Sequence, residues 1–183
     1  MKKLILLFFV LPFLTSPLAP MADELDTLAV VKPGELIVEV NGVVCSICAK
    51  GLKKNLAKLD FNSPVLSKKS GVKIDIRSGR MVMYRDPKKP IDFDGLLTAV
   101  KKGGYELEKL YMNLTGSLES VNGKWVLSEK AGPNKFGFAN APKGLTKSNA
   151  VTLRVMITAK TLAKAKPGAV VEVEVDEITK AGE

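Results

Sequence analysis

Cys45 and Cys48 are the only two cysteines of the chain, and they stand in the short sequence Cys-Ser-Ile-Cys. Two thiolates at this spacing can converge on one soft metal ion, or they can close on each other as a disulfide. The chain contains no histidine, which excludes histidine-based catalysis and histidine metal ligands. The chemistry expected of this pair is therefore that of its two sulfurs: soft-metal binding or disulfide formation.

The elements that position the pair are predicted to be a strand before it and a helix after it. Before the pair, apolar residues alternate as on one face of a strand, at Leu36, Val38 and Val40. Asn41-Gly42 is a turn signal that ends this strand. After the pair, apolar residues follow the spacing of one helical stripe, at Leu52, Leu56 and Leu59. The cysteines are therefore expected where a helix begins.

A helix start has consequences for thiol chemistry. Unpaired backbone N–H groups and the positive end of the helix dipole gather there. Both favour a thiolate over a thiol, so the pKa of a cysteine tends to fall at such a position. The thiolate is the form that binds soft metals and attacks disulfides, so this position favours both activities.

The stretch resembles the heavy-metal-associated domain of copper chaperones, mercury-binding periplasmic proteins and metal-pumping ATPases. The family pattern is Gly-Met-Thr-Cys-x-x-Cys with apolar residues four and eight positions later, and the chain matches it with the run Gly42-Val43-Val44-Cys45-Ser46-Ile47-Cys48 and with Leu52 and Leu56. Later stretches resemble the remaining strands and the second helix with its Gly-Tyr ending: Ile74 to Ile76, Met81 to Tyr84, Leu96, Val100 and Gly104-Tyr105.

The resemblance implies a ferredoxin-like β-α-β-β-α-β domain over residues 34–112, with Cys45 and Cys48 as metal ligands. It also implies that Tyr105 lies near the metal loop, where it shields the thiolates or donates a hydrogen bond; the alternative is a packing tyrosine. Val43 stands where the family has Met and can serve as the apolar plug under the loop. Val44 stands where the family has Thr and lacks its hydroxyl.

The metal predicted for this site is Cu(I), and Hg(II) or another soft metal also fits. Soft thiolates suit Cu(I), which accepts two sulfur ligands. A closed structural zinc site needs four ligands, so zinc would have to recruit carboxylates, water or a second molecule. An exposed site of low coordination number lets a partner thiolate take the metal, and this implies a transient metal-donor or metal-acceptor protein.

Three lysines on the predicted helix, Lys50, Lys53 and Lys54, are candidates for docking an acidic partner. The alternative is an ordinary solvated helix face. The whole chain carries a formal net charge of +9, which favours acidic partners or anionic surfaces. The alternative for this charge is solubility alone.

Residues 113–183 are predicted to form a small all-β domain, an OB-like barrel or a sandwich. About five short strands are separated by turn signals, among them Asn122-Gly123. One segment resembles the small OB-like barrels of secreted bacterial proteins, through Leu114, Gly116, Leu118, Val121 and Trp125. Nucleic-acid binding is not expected, because Phe136 and Phe138 share a strand face that suits the core and a secreted protein meets little nucleic acid.

The first residues predict an extracytoplasmic location. Residues 1–22 read as a secretory signal with Lys2-Lys3 as its charged start and an apolar run that is too short for a comfortable membrane span; the alternative is an uncleaved anchor. Residues 23–33 read as a lead-in to the first strand. The mature protein is therefore expected to be periplasmic or secreted, without a membrane span after signal cleavage.

Three functions compete. The first is binding or transfer of a soft metal, without enzymatic turnover. The second is thiol–disulfide redox chemistry, because an oxidising compartment favours disulfides. The third is an envelope interaction module whose cysteine pair is vestigial or closed as a disulfide.

Overall fold

The computed structural model describes residues 31–42, 45–67, 70–130, 132–138, 147–166 and 169–180. The protein is a mixed α+β structure with few helices and a five-stranded β-barrel, as the sequence predicted at this level. Residues 1–22 and most of the lead-in lie outside the described residues. In the described part of the chain, no helix is both long enough and apolar enough to cross a membrane.

The N-terminal elements follow one another as strand, helix, two strands, helix and strand. In chain order they are β1 (Glu35–Asn41), α1 (Ser46–Leu56), β2 (Val72–Asp75), β3 (Arg80–Tyr84), α2 (Phe93–Lys102) and β4 (Glu106–Val121). Their strands lie side by side in the order β2-β3-β1-β4, and each neighbouring pair is antiparallel. A short 3-10 helix, Pro64–Ser67, lies in the connection between α1 and β2.

Both helices pack against one face of this sheet because their apolar stripes match its alternating residues. Leu36 and Val38 of β1 are fully buried, and so are Leu52 and Leu56 of α1. The helices also contact each other: the Asn55 side-chain amide donates a hydrogen bond of 3.3 Å to a backbone carbonyl of α2. Burial of this shared apolar surface holds the start of α1 at one end of the sheet.

Strand β4 joins the two parts of the chain. One of its edges pairs first with β1 and then, from Gly116 onward, with β5, while its other edge pairs with β7. The strand therefore runs without interruption past residue 113, where the second domain was predicted to begin. Asn113 takes part in this junction, because its side-chain amide donates a hydrogen bond to the carbonyl of Val31.

The C-terminal strands close into a barrel rather than a two-sheet sandwich. The elements are β5 (Lys124–Glu129), β6 (Lys135–Phe138), β7 (Ser148–Thr158), α3 (Ala159–Leu162) and β8 (Val170–Lys180). Together with β4, the strands follow the order β4-β5-β6-β8-β7, and pairing of β4 with β7 closes the ring. Strands β6 and β8 are parallel, whereas the other barrel pairs are antiparallel.

The barrel interior is filled with large apolar side chains. Phe136 is fully buried, and Phe138 is 3% exposed, so the prediction that both phenylalanines are core residues is confirmed. Leu114 and Leu127 are fully buried beside them, within the same apolar cluster as the helix-facing residues of the first sheet. One continuous core therefore runs from the helix layer into the barrel.

Candidate thiol and metal site

Cys45 and Cys48 lie at the start of α1, where the apolar spacing placed them. Cys45 is the N-cap residue, with an extended backbone (φ −141°, ψ 148°), and its sulfur accepts a hydrogen bond of 3.1 Å from the backbone N–H of Cys48. The sulfur thereby takes the role that a Ser or Asp oxygen takes at other helix starts. The first turn of α1 carries no acidic residue, so no carboxylate competes with a thiolate for the positive end of the helix.

The two sulfurs are joined as a disulfide, with the Cα atoms 5.4 Å apart. This Cα separation lies within the usual range for a disulfide, so the start of the helix brings the pair together without displacement of the backbone. Cys48 is exposed to solvent, whereas Cys45 is half-buried. Ile47, between them, is 78% exposed, so the pair occupies an accessible surface.

Tyr105 follows the end of α2, which closes with a Schellman motif. Gly104 has φ +84°, its N–H donates to the carbonyl of Lys101 (2.9 Å), and the N–H of Tyr105 donates to the carbonyl of Val100 (3.3 Å). Glycine adopts this left-handed position without a Cβ penalty, which explains the Gly-Tyr ending in physical terms. The Tyr105 residue is 9% exposed and belongs to the apolar core.

The end of α2 lies beside the first turns of α1. A Cβ atom at Gly103 would stand 3.0 Å from Cδ1 of Leu52, which is one turn beyond Cys48. In the described part of the chain, no hydrogen bond connects Tyr105 to either cysteine. Its predicted support of the thiolates stays a prediction beside the packing alternative.

The three candidate docking lysines lie on α1 as expected. Lys50 and Lys54 are exposed, and Lys53 is half-buried. Lys53 and Lys54 occupy the last turn of α1, where cations interact favourably with the negative end of the dipole. Val43, the predicted apolar plug under the loop, lies outside the described residues, as does Val44.

The described residues contain no cluster of three or more histidine, cysteine, aspartate or glutamate side chains that could hold a metal ion. Within the part of the chain that the structure describes, the soft donors at the start of α1 are the two sulfurs, which become available as a pair once the disulfide is reduced. This set suits a soft ion that accepts two ligands, and it does not suit a closed four-ligand zinc site.

A polar cluster on the opposite face of the sheet was not predicted from the sequence. Arg80 Nε lies 2.6 Å from Glu39 Oε1, and the Tyr111 hydroxyl donates to Glu39 Oε2 at 3.4 Å. Burial, and secondarily the charge of Glu39, raises the pKa of Tyr111 above its ordinary value. The signal available in the sequence was the alternation of β1, which places Glu39 on the face away from Leu36 and Val38.

Comparisons with protein-family models, with curated proteins and with solved structures found no match for this chain. Fold and site together define its class: a mixed α+β protein with a five-stranded barrel and a surface cysteine pair at the start of a helix.

Gly51 lies in the middle of α1, the helix that begins at the cysteine pair, and is expected to lower the stability of that helix. Gly51 is exposed, and a Cβ atom added there would meet no atom within 4 Å. We expect Gly51→Ala to raise the free energy of unfolding by about 0.5–1 kcal/mol, because alanine loses less backbone entropy in a helix. Urea denaturation measures this change.

Gly104→Ala is the matched control, since a Cβ atom there also has open space but φ is +84°. We expect it to lower the free energy of unfolding by about 1–2 kcal/mol, because a left-handed conformation is costly for alanine. Shifts of the same sign in both variants would contradict the assigned backbone conformations.

Proposed function

We propose that this protein is an extracytoplasmic binding or transfer protein for a soft metal, with Cu(I) as the metal and Cys45 and Cys48 as its ligands. One observation carries the proposal: the start of α1 holds the two sulfurs of the chain together at an accessible surface. When the pair is reduced, both sulfurs become ligands. Hg(II), or another ion that accepts two sulfur ligands, is the next candidate.

The arrangement of the first elements supports a ferredoxin-like unit as the scaffold of this site. Its elements follow the order β-α-β-β-α-β, its strands lie in the order β2-β3-β1-β4, and both helices pack on one face. In the same way, the strand order of the barrel and its parallel β6–β8 pair support the OB-like interpretation of the C-terminal part.

The surroundings of the pair suit transfer better than storage. Two-coordinate metal on an exposed sulfur pair can be approached by a partner thiolate, and the resident ligands can then be exchanged one at a time. The lysines of α1 offer an acidic donor or acceptor protein a complementary face. The signal sequence predicted over residues 1–22 would place this exchange in a periplasm or outside the cell.

A thiol–disulfide redox function is the second candidate, and the disulfide itself favours it. Hydrogen bonding of Cys45 Sγ at the start of α1 stabilises the thiolate that forms when the bond opens. In this alternative the pair exchanges electrons with another dithiol instead of holding a metal. The two candidates therefore differ in what the reduced pair does next.

Anaerobic titration of the reduced protein with Cu(I), against a competing chelator, tests the proposal. We expect about one tightly bound equivalent, because two thiolates form one soft-metal site. The double variant Cys45→Ser, Cys48→Ser should lose this equivalent, and so should the oxidised wild-type protein, whose fold is intact but whose sulfurs are bonded to each other.

Binding that is no tighter than that of the double variant would overturn the copper proposal. The reduction potential of the pair then decides for or against the redox candidate. A potential above about −300 mV marks a labile disulfide of the regulatory or catalytic kind, whereas a lower one marks a structural disulfide.

A further inference from the structure

We infer that the Cys45–Cys48 disulfide opens in one direction: an incoming thiolate attacks Cys48 Sγ, and Cys45 leaves as the thiolate that caps α1. The inference goes beyond the proposed function, because it assigns different roles to the two sulfurs and names a dithiol reductant as a partner class. It rests on the disulfide and the helix start. Only its consequence for copper capture rests on the proposed function.

Access favours Cys48 as the attacked sulfur. Ser46, Ile47 and Cys48 are all exposed, whereas Cys45 is half-buried at the point where the chain enters the helix. Exchange requires the attacking thiolate to reach the sulfur, so the exposed residue of the pair is the more accessible target. The exposed Ile47 side chain also offers the attacking partner an apolar contact directly beside its target.

Stabilisation of the leaving group favours Cys45 as the departing sulfur. Its Sγ already accepts the N–H of Cys48 at 3.1 Å, and it lies at the N-terminus of a helix of eleven residues. A hydrogen bond to a charged acceptor is stronger than one to a neutral acceptor, so this contact strengthens as negative charge develops on the departing sulfur. In the described part of the chain, Cys48 Sγ accepts no such hydrogen bond.

The exchange balances in two steps. In the first, the thiolate of the reductant forms a bond to Cys48 Sγ, the Cys45–Cys48 bond breaks, and its electron pair remains on Cys45 Sγ. In the second, the other thiolate of the reductant attacks the reductant sulfur that is bonded to Cys48, and Cys48 is released as a thiolate. The reductant leaves as a disulfide, and the protein has gained two electrons.

This order of attack, first at Cys48 with Cys45 leaving, would connect reduction to metal capture. A mixed disulfide on Cys48 keeps the partner on the exposed side and leaves Cys45 in the place where it serves as a ligand. Release of Cys48 then completes the pair. A dithiol reductant that acts on Cys48 would therefore prepare the site that the proposed function assigns to Cu(I).

Mapping of the mixed disulfide formed with glutathione tests the inference on the oxidised wild-type protein. The protein is exposed briefly to glutathione, the exchange is stopped with acid, the freed thiol is alkylated, and the peptide that contains both cysteines is fragmented in a mass spectrometer. We expect glutathione on Cys48 and the alkyl group on Cys45, with an excess over the reverse pattern of at least about threefold. Equal labelling, or glutathione mainly on Cys45, would overturn the inference.

The same mapping in concentrated urea is the control for the role of the fold. Unfolding removes both the burial of Cys45 and its hydrogen bond, so the excess should fall towards equal labelling. If the excess persists in urea, local sequence causes it and the inference is wrong. Because no metal is present in either experiment, the outcome is independent of the copper titration.

Discussion

Arg85→Met is expected to lower the free energy of unfolding by about 3–5 kcal/mol. Arg85 and Glu129 form a two-pronged ion pair whose side chains are only 6% and 3% exposed. Loss of the guanidinium leaves the Glu129 carboxylate buried without a counter-charge, which is far more costly than loss of a surface pair. Urea denaturation measures the effect: the midpoint should fall while the m-value, the slope of the unfolding free energy against urea concentration, stays unchanged.

The position of this pair explains why its effect reaches the whole molecule. Arg85 directly follows β3 of the first sheet, and Glu129 is the last residue of β5 in the barrel. Asn134 extends the network, since its amide nitrogen donates to Glu129 Oε2 at 2.9 Å and its oxygen accepts the N–H of Ile91 at 3.4 Å. The ion pair therefore ties the first sheet to the barrel at a second place, in addition to the shared strand β4.

The double variant Arg85→Met, Glu129→Gln separates the cost of an orphaned charge from the cost of lost packing. The amide introduced by Glu129→Gln is neutral and can still accept the Asn134 hydrogen bond, so we expect the double variant to recover most of the lost stability. Lys124→Met is the matched surface control. It breaks the Lys124–Glu172 pair, whose side chains are 72% and 62% exposed, and should change stability by less than about 1 kcal/mol. An Arg85→Met effect as small as that of Lys124→Met would contradict the burial argument.

Local periodicity explains why the individual elements could be predicted. The alternation from Leu36 to Val40 and the helical stripe at Leu52 and Leu56 reflect burial on one side of each element, and all of these residues are buried. Leu59, the third residue of the predicted stripe, lies beyond the end of α1 and is half-buried. The hairpin at Asn122-Gly123 was predictable because both residues have positive φ (51° and 76°), a conformation that Asn and Gly tolerate. Signals of this kind lie within a few residues of sequence.

The extent of β4 was harder to predict because one strand serves two neighbours on the same edge. Asn113 and Gly116 look like interruptions in the sequence, yet Leu110, Met112 and Leu114 continue the alternation through the junction and are fully buried. A polar or small residue in a strand ends it only if its backbone lacks a partner. Here β7 supplies that partner for Asn113, and β5 and β7 supply it for Gly116.

Contacts between distant residues left no local signal at all. Phe61 lies in a segment whose composition indicates a surface loop, but it is 1% exposed, because the loop folds back under β3: the carbonyl of Phe61 accepts the N–H of Asp86 at 2.8 Å. The Arg85–Glu129 pair joins residues 44 positions apart. Charge alone cannot reveal which arginine and which glutamate of the chain meet in the core.

The candidate site was more predictable than the core because its residues are close in sequence. The spacing of Cys45 and Cys48 and the helix after them sufficed to place the sulfurs together. The oxidation state was left open by the sequence, and the disulfide now sets an order of events for the proposed function. The two sulfurs cannot bind Cu(I) while they are bonded to each other, so reduction must precede metal capture.

Gly116→Ala is expected to have the second large effect on stability, through the backbone of the barrel. A Cβ atom at Gly116 would stand 2.0 Å from the carbonyl oxygen of Ser128 and 3.1 Å from Cα of Glu129. These are backbone atoms of β5, so no side-chain rotation relieves the overlap. Gly116 also precedes the register shift between β4 and β7, where the strands bend to close the ring. We expect a loss of about 3 kcal/mol or more, at the upper end of overpacking costs.

Trp125 makes this prediction measurable within the barrel, because it is the only tryptophan of the chain and lies on β5. Unfolding of Gly116→Ala followed by Trp125 fluorescence should occur at lower urea concentration than in the wild-type protein. Ser117→Ala, at the next position of the same strand, is the matched control, and its free energy of unfolding should stay within about 0.5 kcal/mol of wild type.

If both variants retain wild-type stability, β4 and β5 do not approach as closely as described and the barrel closes by a different path. If the Trp125 transition alone shifts while far-ultraviolet circular dichroism keeps a second, later transition, the barrel unfolds separately from the helix-covered sheet despite their shared strand.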